Sequence, residues 1–276
     1  MSPALLPFLL LGCWPYIGGS WVDNAPARAS GVISWVDYEG SGWADPASTG
    51  FAYWGWFQAP QDDFSTNWVL PAPTGCSDKD VDLAAATDLL VDLDGSTSVL
   101  SSPSVDLPLT WSSDSRMYYG SLIEGDIETT ASTWDLQDTK LVDGSLAVSP
   151  FVTVPGQIPY YGPDPGSVDD ASPPVLGLDQ LEVTWSGDAA DVVSVYAELY
   201  DKRGNPLQHW TCTASGDAGD LAIPSDRWDS TSLDTATLLV FSVTHIVITS
   251  TAIDGIEAVS RGVGERTSAA VYTLKK

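Results

Sequence analysis

Closely spaced aspartates near residue 90 are the side chains whose type and spacing could bind a metal ion. The segment 88–96 reads Asp-Leu-Leu-Val-Asp-Leu-Asp-Gly-Ser, and further aspartates precede it at 78, 80 and 82. Carboxylate oxygens are the ligands that Ca²⁺ prefers, and Asp92-x-Asp94-Gly95 matches part of a calcium loop, although no Glu closes it at the EF-hand distance. Strict alternation explains the same residues as an edge strand that ends in an Asp-Gly turn. We therefore take the edge strand as the main interpretation and Asp92 and Asp94 as candidate calcium ligands.

A run of aromatic residues is the second feature that could bind a ligand. Residues 51–57 read Phe-Ala-Tyr-Trp-Gly-Trp-Phe. In a strand, Tyr53 faces one side while Trp54 and Trp56 face the other, so at least one side belongs to a core. The other side, if open, would bind sugar rings or a protein partner through flat aromatic surface. Tyr53, Trp54 and Trp56 are therefore candidate ligand-binding residues, and packing against a second sheet or a tether is the alternative.

Catalytic templates are missing from the sequence. There is no G-x-S-x-G elbow, no H-E-x-x-H, no C-x-x-C, no phosphate-binding loop and no dinucleotide fingerprint. The two histidines, His209 and His245, fall inside predicted strands rather than on loops, where catalytic groups concentrate. We expect no catalytic residues, no enzymatic activity and no cofactor other than the calcium considered above.

The charge balance excludes one class of partner. The chain has 37 acidic and 11 basic residues, a formal net charge of −26. Double-stranded nucleic acid requires cationic patches for binding, so we expect no nucleic-acid partner. Solubility at a cell surface is the simplest reason for the excess of acid.

The N-terminus carries an uncharged apolar run that ends in Leu10-Leu11-Gly12-Cys13. Its apolar core is too short for the roughly 20 residues of a membrane-spanning helix and has signal-peptide length. The four residues resemble the lipobox of bacterial lipoproteins. The resemblance implies a signal peptide over 1–12, a lipid on Cys13 and a tether over 13–29, and Trp14 in place of Asp implies delivery to the outer membrane. A secretory signal cleaved elsewhere, or a disordered apolar N-terminus, is the alternative.

The cysteine count gives a candidate disulfide. If Cys13 carries the lipid, Cys76 and Cys212 remain as an even pair in an oxidising compartment. Cys212 also shares a predicted strand face with Trp210 and Ala214, where a free thiol would pack as a small apolar group. Both interpretations stay open.

Period-two alternation dominates the chain and predicts an all-β protein with two antiparallel β-sandwich domains. A Pro- and Gly-rich linker over 156–177 separates an N-terminal sandwich or jelly-roll-like domain (30–155) from a C-terminal domain (178–276). The C-terminal strands resemble immunoglobulin-like or fibronectin-like modules of secreted bacterial proteins, which implies the sandwich architecture alone, because the second intradomain cysteine is missing. Predicted strands are 31–36, 50–57, 88–93, 107–111, 117–122, 146–154, 181–185, 193–199, 207–214, 219–223, 238–249, 256–263 and 267–274.

The layout as a whole resembles predicted surface lipoproteins of myxobacteria and similar Gram-negative bacteria. It implies a lipid-anchored binding or structural protein of the cell envelope, in the outer membrane and exposed at the surface. Expected partners are the membrane, through the lipid anchor, and envelope proteins or glycans. A carbohydrate-binding surface protein that uses the N-terminal aromatic residues is the alternative.

Overall fold

The computed structural model describes residues 27–41, 43, 48–56, 75–78, 93, 97–123, 125–141, 144–157, 162–167, 169–185, 190–253 and 259–275, and these form an all-β, sandwich-like fold. The strands are β1 (Ala27–Glu39), β2 (Thr49–Trp56), β3 (Gly75–Ser77), β4 (Ser98–Ser101), β5 (Asp106–Ser112), β6 (Met117–Leu122), β7 (Ser132–Leu141), β8 (Gly144–Val154), β9 (Val175–Leu176), β10 (Glu182–Thr184), β11 (Val192–Asp201), β12 (Pro206–Ser215), β13 (Asp220–Ala222), β14 (Ala236–Ala252) and β15 (Val259–Leu274). Within these residues the strands are accompanied by a short α-helix, α1 (Ser230–Thr235), and by 3-10 turns at Leu178–Gln180 and Ser225–Arg227. None of the helices described is long and apolar enough to cross a membrane.

A single hydrogen-bonded path joins strands from both ends of the chain. Its order is β3-β12-β11-β14-β15-β1-β2-β6-β5-β4-β7-β8, with β9 beside β15, and β10 and β13 form a separate pair. The path joins the predicted N-terminal and C-terminal halves through β1 and β15, which lie parallel to each other. The prediction of antiparallel sheets is therefore wrong for β1 with β15 and for β9 with β15, which are parallel pairs. Parallel strands are joined by long connections, so their pairing leaves no local signal such as a hairpin turn.

The last strand of the path, β8, folds back over the middle of the sheet and packs on β14 and β15. Two glycines of β15 permit this approach, since a Cβ on Gly262 or Gly264 would collide with a carbonyl oxygen of β8. Side chains of β14 bind the β8 backbone: the amide of Thr153 donates to Thr249 Oγ1 at 3.1 Å, and Thr251 Oγ1 donates to the carbonyl of Pro150 at 2.6 Å. Sheet-on-sheet packing thus closes one side of the molecule.

Two apolar clusters form beside each other on that same side of the long sheet. The first cluster is centred on Trp54, Trp134 and Phe151 and draws almost entirely on β1 to β8. The second is centred on Val195, Phe241 and other residues of β9 to β15. Alternation in each strand sends every second side chain into these cores, which is the physical basis of the strand predictions.

Most predicted strands are confirmed, with some differences in detail. The predicted strands 256–263 and 267–274 belong to one continuous strand, β15, and β3, β4, β7 and β9 were not predicted. Residues 88–93 lie outside the described segments except for Leu93, which is buried. The predicted tether overlaps the first residues of β1, and the predicted linker contains β9. The division into two domains stays a prediction.

Candidate functional site

A polar face covers the side of the long sheet opposite the two cores. In β11, alternate residues from Val193 to Leu199 belong to the second core, so the residues between them point to the other side. Register extends this face across neighbouring strands. Although polar, most of its side chains are buried: Ser34 on β1, Ser194, Tyr196, Glu198 and Tyr200 on β11, Thr213 on β12, Ser242 and Thr244 on β14, and Glu265 and Thr267 on β15, with His209 and Thr211 of β12 half-buried.

Burial is what makes this face a candidate site. The outer face of an antiparallel sheet is normally polar because water covers it. Here hydroxyl groups bind other protein groups instead of water, as in the hydrogen bond between Thr244 Oγ1 and Thr267 Oγ1 at 2.8 Å. Sequence analysis missed the face because its alternation is identical to that of a solvent-exposed surface, and no pattern in the sequence distinguishes the two.

Glu198 is the centre of an acidic and aromatic cluster on the polar face. It is 6% exposed, lies directly opposite His209 on β12, and accepts a hydrogen bond from the hydroxyl of Tyr200. The ring of Tyr196 stacks on His209 with centroids 5.7 Å apart. Glu198 forms no ion pair with any residue that the structure describes. An acceptor carboxylate surrounded by aromatic rings is suited to bind a cation.

An aromatic wall stands next to this cluster, at the end of β1. The rings of Tyr38 and Trp43 lie 4.6 Å apart, and Trp43 Nε1 donates to the carbonyl of Glu39 at 3.0 Å. Trp43 packs on a small apolar group formed by Tyr200, Val240 and Val271. The wall therefore extends from β1 over β15 and β14 to β11.

Ser242 lies on β14 within the same area. Its register partners are Tyr196 on β11 and Ala269 on β15, and both Ser242 and Ala269 are 0% exposed. The hydroxyl of Ser242 has no hydrogen-bond partner among the described residues. A buried hydroxyl without a partner is costly, at roughly 1–3 kcal/mol, which makes it a candidate ligand contact.

Glu265 is a second buried acid, further along the polar face. Burial raises its pKa to about 8, partly offset by a hydrogen bond from Ser34. Burial, followed by the negative charge of Glu265, also raises the pKa of Tyr53 well above its ordinary value. Glu265 is therefore a neutral carboxylic acid at pH 7, able to donate a proton within a closed environment.

A buried ion pair lies on the core side of the same two strands. Arg266 Nε donates to Asp37 Oδ2 at 2.9 Å, and Arg266 Nη1 donates to the carbonyl of Glu128 at 2.8 Å. Asp37 Oδ1 accepts bonds from Trp35 Nε1 at 2.9 Å and from Ser48 Oγ at 3.0 Å. Both carboxylate oxygens are thus occupied, and the pair fixes β1 against β15.

Residues of the types found in a catalytic triad meet beside this pair. His245 is the register partner of Arg266, and Ser268 is the partner of Asp37. Burial lowers the pKa of His245 to about 4, so its ring is neutral at pH 7. A triad requires the aspartate to hold the histidine ring. Asp37 binds Arg266, Trp35 and Ser48 instead, so it does not hold the ring of His245.

The two candidate disulfide cysteines are bonded to each other. Cys76 on β3 and Cys212 on β12 are register partners, with an S–S distance of 2.02 Å. Cys212 is fully buried in the second core, and Cys76 packs against that core from the sheet edge. The bond attaches a short segment of the N-terminal half to the C-terminal sheet.

The aromatic residues proposed as a ligand platform are mostly interior. Trp54 is 0% exposed, stacks on Tyr118 with centroids 5.1 Å apart, and donates from Nε1 to Ser98 Oγ at 2.8 Å. Tyr53 is also buried, and Trp56 is half-buried against the first core. The prediction of an open platform is therefore wrong for Tyr53 and Trp54, because both sides of β2 are covered at these positions.

Other predicted site residues fall outside the described segments: Cys13, Asp92 and Asp94. Within the described segments, no group of three or more His, Cys, Asp or Glu side chains could hold a metal ion. Both histidines lie in strands, as predicted.

No protein-family model matches the chain, and no curated protein matches it in sequence.

Proposed function

We propose that the chain is a lipid-anchored binding or structural protein of the bacterial cell envelope, without catalytic activity. The anchor is Cys13 of the lipobox-like sequence, and the folded body lies at the membrane surface. By the same resemblance the membrane is the outer membrane, and the partners are envelope proteins or glycans.

The disulfide between Cys76 and Cys212 is the observation that carries this proposal. Disulfides form and persist in secreted and periplasmic proteins and are rare in the reducing cytosol. With these two cysteines bonded, Cys13 is the one remaining cysteine of the chain, as expected for a lipid attachment site. The net charge of −26 also suits a soluble body that faces water.

Labelling with radioactive palmitate in a bacterial host tests the anchor. We expect the wild-type protein to incorporate label and to fractionate with membranes, and Cys13→Ala to lose both properties. The matched control is Cys212→Ala, which should keep the label because the sulfur of Cys212 is buried and bonded to Cys76 rather than to a lipid. Unlabelled wild-type protein in the medium would overturn the proposal, and protease added to intact cells would report whether the body is outside.

Glycan binding is the second candidate, and one observation on the polar face favours it. Tyr119 on β6 is 39% exposed, and its ring lies 5.9 Å from that of Tyr53, which stacks in turn on half-buried Phe51. An exposed ring supported by others is a surface on which sugars stack. Tyr119→Ala should abolish binding of soluble polysaccharides in an affinity gel, whereas Trp54→Phe should leave it unchanged. Equal retardation of wild type and Tyr119→Ala would remove this candidate.

We also propose that the two apolar clusters define two β-sandwich domains that share one long sheet. In the C-terminal one, β10 and β13 form the second layer over β11, β12, β14 and β15, an arrangement similar to immunoglobulin-like modules. Deuterium exchange would test it, since two domains should show two groups of amides with separate protection.

A further inference from the structure

We propose that the exposed face of β2 and β6 binds an extended, uncharged polysaccharide chain. The inference rests on the glycan-binding candidate above, and it names the class of glycan and the residues that select it.

An uncharged patch interrupts the surface of a strongly acidic protein at this place. The chain has a formal net charge of −26, and 17% of its residues are charged. The sequences of β2, TGFAYWGW, and of β6, MYYGSL, contain no charged residue. The two strands pair with each other, so their outward side chains form one continuous surface. We call the surface formed by Thr49, Phe51, Tyr119, Ser121 and Ile123 the uncharged patch.

The patch is open to solvent and needs no cavity to admit a ligand. On the inward side of the two strands, Trp54 and Tyr118 stack on each other in the first core. Alternation therefore points Tyr119 and Ser121 away from that core. Tyr119 is 39% exposed and Ile123 is 68% exposed. A long ligand can therefore lie across the patch from outside.

Each outward ring of the patch has a hydroxyl group on the neighbouring strand. Thr110 on β5 is the register partner of Tyr119, and Ser121 on β6 is the register partner of Phe51. Residues directly opposite each other carry their Cβ atoms about 4.5–5.5 Å apart. A sugar ring that stacks on Tyr119 or Phe51 therefore lies within reach of a neutral donor and acceptor. An apolar protein surface in the same place would leave these hydroxyls without hydrogen bonds, which favours a sugar.

The flat shape of the patch favours a chain over a single sugar. A flat surface makes few contacts with one sugar unit, whereas weak contacts with several linked units add up. The ring of Tyr119 lies 5.9 Å from that of Tyr53, which stacks in turn on Phe51 at 5.9 Å. Because these rings support one another, little order has to be gained when the chain binds.

The charges around the patch select against anionic chains. Asp126 borders the patch, since its Oδ2 accepts a hydrogen bond from the amide of Ile123 at 2.7 Å. Together with the net charge of −26, this acid repels glycans that carry carboxylate or phosphate groups. A cationic chain would be attracted by acids over the whole body, so its binding would not depend on Tyr119. Binding that does depend on Tyr119 is therefore expected for neutral chains.

Affinity electrophoresis of the full-length protein tests the proposal with neutral and anionic polymers. The neutral probes are hydroxyethylcellulose, glucomannan and mixed-linkage β-glucan, and the anionic probes are carboxymethylcellulose and alginate. We expect retardation in neutral gels and none in anionic gels. Tyr119→Ala should weaken binding about tenfold and Ser121→Ala about threefold, from the loss of one ring contact and one hydrogen bond. Val175→Ala is the matched control, because Val175 is an exposed apolar residue on β9.

A gain of binding separates selection by charge from damage to the fold. Ser121→Lys places a cation on the patch and should add retardation by carboxymethylcellulose. Ser145→Lys, at an exposed position on β8, should add none. Thermal melting of each variant shows that the compared proteins are folded.

Three results would overturn the proposal, and they differ in what they leave standing. Equal retardation by neutral and anionic gels, lost in both with Tyr119→Ala, would leave glycan binding intact and remove the neutral class. Retardation that Tyr119→Ala does not change would place the glycan site elsewhere. No retardation in any gel would remove the glycan-binding candidate as well.

Discussion

The buried pair of Asp37 and Arg266 should be the most sensitive polar contact in the molecule, and Arg266→Met is the change that tests it. Methionine keeps most of the apolar stem of arginine but removes the donors to Asp37 Oδ2 and to the carbonyl of Glu128. Asp37 would then be a carboxylate at 8% exposure whose remaining donors are Trp35 and Ser48. Removing one partner of a buried pair costs about 3–5 kcal/mol because the other charge stays behind.

The expected result is a loss of about 3–5 kcal/mol in the free energy of unfolding, a large share of the 5–15 kcal/mol typical of a protein. Urea unfolding at pH 7, followed by tryptophan fluorescence, measures it. Asp37→Asn alone should also destabilise, whereas the double variant Asp37→Asn/Arg266→Met should lose less than the sum of the two, by about 0.5–3 kcal/mol. Arg203→Met, at an exposed turn, is the matched control and should stay within about 0.5 kcal/mol of wild type.

Additive losses in the double variant would refute the reasoning, because they would show that the two side chains do not interact. A loss below about 1 kcal/mol in Arg266→Met would refute it as well, since the pair would then have the strength of a surface salt bridge.

Three further predictions follow from the strand contacts. Reducing the bond between Cys76 and Cys212, which are separated by 136 residues, should lower the free energy of unfolding by about 2–5 kcal/mol in urea; an unchanged midpoint would contradict this. Gly264→Ala places a Cβ against the Thr153 carbonyl and should cost about 1–3 kcal/mol by thermal melting, and an unaltered melting temperature would show that β8 does not pack there. The pKa of Glu265 is about 8 in the folded protein and near its ordinary value of 4.5 in the unfolded chain. The free energy of unfolding should therefore fall as the pH rises from 4.5 to 8, by up to about 1.4 kcal/mol per pH unit. In Glu265→Gln the free energy of unfolding, measured by urea titration, should change less with pH over this range. An equal pH dependence in the variant and the wild type would contradict the prediction.

Local alternation of apolar and polar residues made the strands predictable. The pairing of the strands was not predictable, because many neighbouring strands are far apart in the sequence. The inward pattern of β11 is visible in the sequence, from Val193 to Leu199. Nothing local indicates that β1 pairs with β15, or that Asp37 binds Arg266 across 229 residues. The predicted strands 256–263 and 267–274 left out Gly264, Glu265 and Arg266, which lie in the middle of β15. The strand continues because Glu265 and Arg266 are buried on opposite faces, where neighbouring strands supply their contacts.

The candidate site was hidden for a related reason. Ser, Tyr and Glu residues that alternate with Val and Leu predict a strand with one solvent-exposed face and one buried face. Only the three-dimensional structure shows that Glu198 and Ser242 are buried and share a face with Trp43, which precedes them in the chain by 155 and 199 residues. The cysteine pair was easier to identify, because the chain has three cysteines and the expected oxidising compartment favours a disulfide. No comparable limit on residue number singles out the residues of the polar face.

Both ends of the strand path are protected against pairing with another chain. At one end β3 covers three residues of β12 and is attached by the disulfide. At the other end β8 lies against β14, where the hydroxyls of Thr249 and Thr251 bind its backbone. Unprotected edge strands invite edge-to-edge association with another chain. Thr249→Val/Thr251→Val removes the two hydroxyls that bind the β8 backbone, so it should form more sedimenting oligomer than wild type when the two are concentrated side by side.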